Sequence, residues 1–521
     1  NFQSGETEIQ DTVGHGTAVG GCAVYGDIET CLEEKVFHPS NWLFSAKVMY
    51  AEEDWSGQKR AVYDPEKLIE HQLKNAVEGF LSNPAYHIRV VNISLGNPEE
   101  VWHRHYFRQL PLAALIDELA FTFPHVVFVV STGNQSPQSP YSSIEEILDN
   151  YPKYLLSNDE FKIINPATAA LALTVGSIAG PGQARFEKDL YDEPEHIKIP
   201  IAQPNQPSPF TRTGCGINGM VKPELVEYGG NLILSKQYGR ITEDAGGKLA
   251  LLNNKVTDDI LQFDIGSSFA APKVAHLAGK IANHFPGKSA NFIKNMLLVG
   301  ADYPFQPTKK FYQTKNKSNA EKCHLMACGY GLSHYERSLY SFENRAVLWD
   351  EGQLALNQIK VYSLQLPELF FSEAGKKKIS VALTFTPETR ATRGDSYLGN
   401  RLEFHLFHSK NPQILVEKYG HLNKDLQQGI PDDLKKFEIS LFPGANTRKA
   451  GCHQKAWKIY QREPTNRPFP PVSLVLLNRN KWIQGGSQKQ DYCISVTFEH
   501  ENSAELYNKV KTSLRTRART R

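Results

Sequence analysis

One short stretch constrains the fold and function of this chain more than any other. Residues Gly266–Pro272 read Gly-Ser-Ser-Phe-Ala-Ala-Pro, and further alanines follow. The glycine and serines predict a sharp turn, and the alanines predict a helix from Phe269 to about Asn283 with Pro272 in its first turn. A serine hydroxyl on such a turn lies at the positive end of the helix, where backbone N–H groups point outward. The stretch is a candidate nucleophile site, although a Gly-Ser-Ser turn is more often an ordinary helix cap.

Three further motifs precede this stretch. They are Asp11–Gly21 with Gly-His-Gly-Thr around His15, Val90–Gly96 ending in Ser94-Leu95-Gly96, and Val129–Asn134 ending in Ser131-Thr132-Gly133-Asn134. In this order the motifs resemble those of the subtilase family, the subtilisin-like serine proteases. Ser267 and Phe269 stand where that family usually has Thr and Met. The resemblance covers residues 1 to about 340.

The resemblance implies a role for each motif. His15 would be the general base, Ser268 the nucleophile, and Asn134 a donor to the oxyanion. Ser94, Leu95 and Gly96 would form the edge strand on which a polypeptide substrate lies. Residues 131–133 would form another wall of the substrate pocket. The implied activity is that of a serine endopeptidase working through an acyl-enzyme, and we expect neither a cofactor nor a metal ion.

One member of the expected triad is missing from these motifs. The family order is Asp, His, Ser, and the aspartate belongs on an early strand well upstream of the histidine. Residues 1–10 contain no apolar strand, Asp11 lies in the loop before His15, and Asp27 lies beyond the predicted His15 helix. Neither acid is a good substitute. We expect the sequence to be the downstream part of a longer polypeptide, with a pseudoenzyme as the alternative.

Two other functions fit the same motifs. The absent aspartate suggests a catalytically silent protein that binds peptides or acts as a scaffold on the same fold. A peptide ligase or processing enzyme would use the same acyl-enzyme on Ser268 and pass the acyl group to an amine. Labelling with a fluorophosphonate separates the silent protein from the enzymes, and product masses separate hydrolysis from ligation.

The hydrophobic pattern predicts the fold class. Apolar runs alternate with amphipathic segments, which indicates an α/β fold with a mostly parallel sheet flanked by helices. A helix is expected to begin at Asp64 and Pro65. Strands are expected at Leu43–Tyr50, Ile88–Leu95, His125–Val130, Leu171–Val175 and Ile260–Ile265. Ser94 and Asn134 then lie at or just past the carboxyl ends of strands, where sites form in such sheets.

The pattern changes near Trp349, where short alternating segments separated by turns begin. This predicts a β-sandwich of the jelly-roll type. We therefore divide the chain into a subtilisin-like peptidase domain at 1–345, with its N-terminal part apparently missing, and a β-sandwich domain at 346–521. The tail from Lys509 to Arg521 is basic, and a solvated terminus explains it better than an acidic partner does.

Composition excludes several partners. With 58 basic and 56 acidic residues, the net charge is +2, which argues against nucleic acid and anionic membranes. Seven scattered cysteines without a Cys-x-x-Cys pair indicate neither a disulfide framework nor structural zinc. His103 and His105 alone are a weak metal signal. We expect a cytoplasmic bacterial protease, controlled by a regulatory protein partner or by an upstream fragment of the same protein.

Overall fold

The structure, a computed structural model, describes residues 10–510 with interruptions. The residues left out within that range are 56, 58, 104, 107, 142, 181–197, 236–237, 243–244, 256, 258, 365, 368, 393–395, 409–411, 421–431, 462–470 and 485–487. The chain forms two compact units. The first comprises Asn1–Ile217, Val221–Ala290 and Asp302–Ser333, and the second comprises Asn218–Met220, Asn291–Ala301 and His334–Arg521. The domain boundary after residue 345 stays a prediction.

Helices and strands alternate along the first unit and strands dominate the second. The helices are α1 His15–Tyr25, α2 Ile28–Glu34, α3 Ile69–Leu81, α4 Pro111–Thr122, α5 Ile144–Asn150, α6 Tyr154–Ser157, α7 Ser267–His284, α8 Ala290–Gly300, α9 Lys317–Cys328, α10 Tyr335–Leu339, α11 Leu369–Ser372, α12 Pro412–Gly420, α13 Asp432–Lys435 and α14 Ala445–Arg448. The strands are β1 Tyr50–Glu53, β2 Lys59–Val62, β3 Val90–Ile93, β4 Asn97–Val101, β5 Val127–Ser131, β6 Ile164–Asn165, β7 Leu173–Ile178, β8 Lys198–Pro200, β9 Leu225–Tyr228, β10 Ile233–Ser235, β11 Arg240–Thr242, β12 Leu249–Leu252, β13 Leu261–Asp264, β14 Ala301–Asp302, β15 Leu332–Ser333, β16 Arg345–Ala355, β17 Ile359–Leu364, β18 Lys377–Phe385, β19 Asn400–His408, β20 His453–Tyr460, β21 Val472–Asn480 and β22 Lys489–His500.

A largely parallel sheet organises the first unit, as the sequence predicts. Its order is β14-β15-β9-β7-β5-β3, and the pairs β3/β5, β5/β7, β7/β9 and β9/β15 are parallel. Every residue of β5 and β7 is buried, whereas β3 is only partly buried because it lies at the sheet edge. Helix α7 packs across β3, β5, β7 and β9 and against α1. The carboxyl ends of β3 and β5 therefore open beside the start of α7.

The helix after the candidate nucleophile is longer than predicted. It begins at Ser267, so Pro272 is the sixth residue of α7 and lies inside the helix, not in its first turn. A proline has no N–H to donate to the carbonyl four residues earlier. The carbonyl of Ser268 consequently needs a donor from outside the helix.

Two local predictions were wrong. Of the strand predicted at Leu43–Tyr50, only Tyr50 enters β1. Leu43 and Phe44 are 50% and 41% exposed, so the segment lacks the buried apolar face that stabilises a strand. The helix expected from Asp64 begins instead at Ile69. Asp64 caps a turn, accepting from the Glu66 N–H at 3.0 Å, and the buried stripe of Leu73, Ala76 and Val77 is present further along.

The second unit contains two antiparallel sheets. Their orders are β16-β22-β18-β20 and β17-β21-β19. Strands β18, β19, β21 and β22 are buried in nearly continuous runs, not in the alternation expected of amphipathic segments. The β-sandwich arrangement itself stays a prediction. Most of the basic tail, from residue 511 onward, lies outside the described residues.

Candidate active site

Ser268 lies in the first turn of α7 and is partly exposed. Its backbone carbonyl, deprived of an intrahelical donor by Pro272, accepts a hydrogen bond of 2.9 Å from the hydroxyl of Ser94. The Ser94 oxygen in turn accepts from the side-chain amide of Asn92 at 3.0 Å. The end of β3 is thus tied to the backbone of the candidate nucleophile, and two motifs 174 residues apart meet as expected.

Asn134 lies three residues beyond β5 and reaches the same turn. Its Oδ1 accepts from the backbone N–H of Ser267 at 2.9 Å and from the Ser267 hydroxyl at 3.1 Å. Because Oδ1 is engaged, the amide NH2 group is the part of Asn134 that can serve as a donor. A Cβ atom placed on Gly266 would lie 3.0 Å from Asn134 Nδ2 and 3.6 Å from the Ser268 backbone nitrogen. Two N–H-bearing nitrogens therefore lie on the same side of Gly266, near the candidate nucleophile.

A buried arginine holds the backbone of Asn134. Arg212 is 1% exposed, and its Nε donates to the Asn134 carbonyl at 3.0 Å while Nη2 donates to Gln135 Oε1 at 2.9 Å. Burial lowers the pKa of Arg212 to about 10, and the charge of Glu160 opposes that effect. The guanidinium therefore stays charged at neutral pH. No motif in the sequence marked Arg212 for this role.

His15 is the first residue of α1, and Gly14 before it has φ +96°, a left-handed conformation that suits glycine. The carboxylate of Asp11 accepts from the N–H groups of Gly14 at 2.8 Å and Thr17 at 2.7 Å. This cap fixes the start of α1. The His15 ring lies with its centroid 5.6 Å from that of Phe269, the residue after the candidate nucleophile. His15, Asn134 and Ser94 thus all contact residues 267–269.

The electrostatics around His15 favour a neutral imidazole. The His15 side chain is exposed, but neighbouring protein atoms displace part of its solvent and lower its pKa. The charges of Asp264 and Asp11 oppose this shift without cancelling it. A neutral imidazole is the form that can accept a proton. Asp264, at the end of β13, was missed by sequence analysis because its place beside His15 depends on the β12–β13 hairpin. The side chain of Gln262 in that hairpin donates to the Gly14 carbonyl at 3.1 Å.

The two acids considered as substitutes for the triad aspartate have other partners. Burial would raise the pKa of Asp11, but hydrogen bonds from Gly14, Thr17 and Val13 outweigh it and hold the pKa below its usual value. Asp27 caps α2 through the Thr30 N–H at 3.0 Å and forms an ion pair with the buried Lys273 of α7. The carboxylates of Asp11 and Asp27 are therefore committed to helix caps and to Lys273.

The predicted substrate-binding residues fall into two groups. Ser94, Leu95 and Gly96 are partly buried and continue from β3 at the sheet edge. The Gly96 carbonyl accepts from the hydroxyl of Tyr63 at 3.2 Å. Ser131 and Thr132 are buried, with 5% and 0% exposure, so their side chains lie behind the surface. Gly133, at φ +86°, is the partly exposed member of that segment and lies next to Asn134.

His103 and His105 line a separate cavity of about 290 Å³ together with Trp102, Asp159, Lys162 and Cys215. Over the described ranges, no group of three or more His, Cys, Asp and Glu side chains is placed to hold a metal ion. In the same residues, no helix combines the length and apolar character needed to cross a membrane.

Comparison with known proteins agrees with these motifs. Residues 1–331 match the sequence model of the subtilase family, Peptidase_S8. The uncharacterized protein y4bN of Sinorhizobium fredii is 32% identical over 439 residues, which is 83% of this chain and 97% of that protein. Among solved structures, the epidermin leader peptide processing serine protease EpiP of Staphylococcus aureus is 15% identical, with 64% of this chain and 63% of that one covered and a TM-score of 0.36. MycP1 without its propeptide is 19% identical, with 52% and 67% covered and a TM-score of 0.28.

Proposed function

Because the chain belongs to the subtilase family, we propose that it is a serine endopeptidase whose acyl-enzyme forms on Ser268. One observation supports this proposal more strongly than the others do. Asn134 Nδ2 and the Ser268 backbone nitrogen lie on the same side of Gly266, near the candidate nucleophile, and the bonds from Ser267 to Asn134 Oδ1 fix which way the amide faces. A pre-oriented pair of donors beside a hydroxyl is what acyl transfer requires.

The proposed reaction follows from these positions. Ser268 Oγ attacks the peptide carbonyl carbon while His15 takes the hydroxyl proton, so that a weak nucleophile becomes a strong one. The carbonyl oxygen becomes an anion, which Asn134 Nδ2 and the Ser268 N–H stabilise together with the positive end of α7. The imidazolium then gives its proton to the leaving amine, and water repeats the sequence on the ester.

The surrounding charges support a base at His15. Its lowered pKa keeps the ring neutral near neutral pH, while Asp264 provides a negative charge that stabilises the imidazolium formed during attack. Both effects are needed, because a general base must be unprotonated before the reaction and must carry a positive charge during it.

The finer features predicted from sequence enter the same proposal. The second unit would be a β-sandwich that recruits a regulatory protein partner, and the natural substrate would be a polypeptide. All seven cysteines are free thiols, which fits a reducing compartment such as a bacterial cytoplasm. Cell fractionation of the producing organism tests the location, and finding the protein outside the cell would contradict it.

Labelling of the full-length protein with a fluorophosphonate tests the activity. We expect one label per chain at Ser268, no label in Ser268→Ala, and greatly slowed labelling in His15→Ala because the base is lost. Ser157→Ala is the matched control, since it removes an exposed serine hydroxyl of α6 and leaves the candidate site intact. Absence of labelling in the wild-type protein would support the silent peptide-binding alternative. Labelling with transfer of the acyl group to added amines, and not to water, would support the ligase.

A further inference from the structure

Two segments beside the candidate nucleophile each contain a glycine, Gly96 in one and Gly133 in the other. Residues 94–96 continue from β3 and residues 132–134 continue from β5, and these two strands are parallel neighbours. A Cβ atom on Gly133 would lie 2.6 Å from Ile164 Cδ1, and one on Gly96 would lie 3.0 Å from the same methyl carbon. The space between the two glycines is therefore occupied, and the group that occupies it is the end of the Ile164 side chain.

A bound substrate would direct one side chain into this space. If a peptide lies along residues 94–96 as an added strand, its side chains alternate between the protein and solvent. The residue whose carbonyl reaches Asn134 Nδ2 and the Ser268 N–H lies between the two segments. Its side chain therefore points between Gly96 and Gly133, toward Ile164.

Ile164 is held firmly in place. It is 5% exposed and belongs to β6, which pairs with β4 so that Ile164 lies opposite Val101. The next side chain, Asn165, donates to Glu100 Oε2 at 2.6 Å and accepts from the Ala113 N–H at 2.9 Å. An isoleucine also has few side-chain rotamers because it branches at Cβ. The pairing and the burial therefore fix the Ile164 backbone, and the branching restricts χ1 of its side chain.

We infer that Ile164 fills the pocket for the residue on the acyl side of the scissile bond, so that the enzyme cuts after glycine, alanine or serine. The inference rests on the proposed peptidase function and adds a substrate class to it. A larger side chain, such as that of leucine or phenylalanine, would meet the Ile164 methyl group before its carbonyl could reach the oxyanion donors.

A peptide series tests the inference on the full-length protein. The peptides differ only in the acyl-side residue, which is Gly, Ala, Leu or Phe, and active sites are counted with a fluorophosphonate so that unfolded protein is not included. We expect kcat/KM for Ala to exceed that for Phe by about 100-fold or more in the wild-type enzyme. Ile164→Gly should raise kcat/KM for Phe by at least about tenfold, and Ile164→Val should have a smaller effect in the same direction.

Ile163→Ala is the matched control, because Ile163 is a fully buried neighbour on the same segment and should leave the preference unchanged. Efficient cleavage after Phe by the wild-type enzyme would overturn the inference while leaving the peptidase function intact. The same holds if Ile164→Gly labels normally but gains no activity on Phe. If the wild-type protein neither labels nor cleaves any peptide, the proposed function fails and the inference fails with it.

Discussion

The hydroxyl of Ser94 donates a 2.9 Å hydrogen bond to the carbonyl of Ser268, the one carbonyl in the first turns of α7 that Pro272 deprives of a helical donor. Because Pro272 has no N–H, the Ser268 carbonyl lacks its helical donor, and the Ser94 hydroxyl takes the place of that donor. The link explains physically why a serine and a proline so far apart in the chain belong to one site. It also holds the nucleophile at a fixed distance from the sheet edge.

We expect Ser94→Ala to slow fluorophosphonate labelling and peptide hydrolysis by roughly tenfold, because an unsatisfied carbonyl costs about 1–3 kcal/mol and loosens the Ser268 turn. The measurement is the labelling rate constant at fixed pH. The double variant Ser94→Ala with Pro272→Ala is the control, since residue 272 then regains an N–H for the Ser268 carbonyl. A double variant that labels no faster than Ser94→Ala would contradict the proposed link.

Asn134→Asp distinguishes the acceptor role of the Asn134 side chain from its donor role. The aspartate keeps an oxygen that accepts from Ser267 but loses the NH2 group that lies beside Gly266. We expect kcat to fall by about 10²–10³-fold with KM little changed, a range known from the corresponding donor of subtilisin, a member of the same family. Gln138→Glu, which makes the same amide-to-acid change at an exposed residue, is the matched control. If Asn134→Asp retains full kcat, Asn134 is not an oxyanion donor.

The sequence marks His15, Asn134 and Ser268 as candidates because each lies in a short motif whose local turn chemistry is visible in the chain. The contacts of Arg212 and Ile164 could not be predicted, because they come from packing between segments with no shared motif. The same limit applies to strands. The apolar runs of β5 and β7 form buried strands, whereas Leu43 and Phe44 look like part of a strand yet stay exposed and outside any strand.

Asp264→Asn should change the pH dependence of the reaction. The charge of Asp264 raises the pKa of His15 against the larger effect of lost solvation, so removing that charge should lower the pKa further. The base then stays unprotonated to lower pH, and the acidic limb of the kcat/KM profile moves to lower pH. Raising the salt concentration should shrink this difference, since Asp264 is exposed.

The matched control for Asp264→Asn is Asp259→Asn, an exposed acid in the loop before β13. It should leave the acidic limb where it is. A shift of the Asp264→Asn profile to higher pH would show that Asp264 does not act on His15 through its charge.

Beneath α7, the first unit contains a cluster of charged side chains. Lys273 forms an ion pair with Asp27, and Glu227 of β9 accepts from the Tyr228 N–H at 2.8 Å. Burial raises the pKa of Glu227 to about 7, while the charge of Lys273 and the Tyr228 hydrogen bond pull it down and Asp27 pushes it up. The ion pair between Lys273 and Asp27 joins α7, which carries Ser268, to the start of α2. The charge state of the cluster therefore affects the helices that support the site.

The raised pKa of Glu227 makes stability depend on pH in a definite direction. Below pH about 4.5, its usual value, the carboxyl is protonated in both the folded and unfolded chain and costs nothing. Between about 4.5 and 7 the unfolded chain ionises first, so the free energy of unfolding falls as pH rises, by at most about 3 kcal/mol. Glu227→Gln should therefore stabilise the protein at pH 8 and change little at pH 4.5, as measured by urea unfolding at both pH values. Glu66→Gln, at an exposed carboxylate, is the control. Equal effects of Glu227→Gln at the two pH values would show that ionisation of Glu227 does not cause the pH dependence of stability.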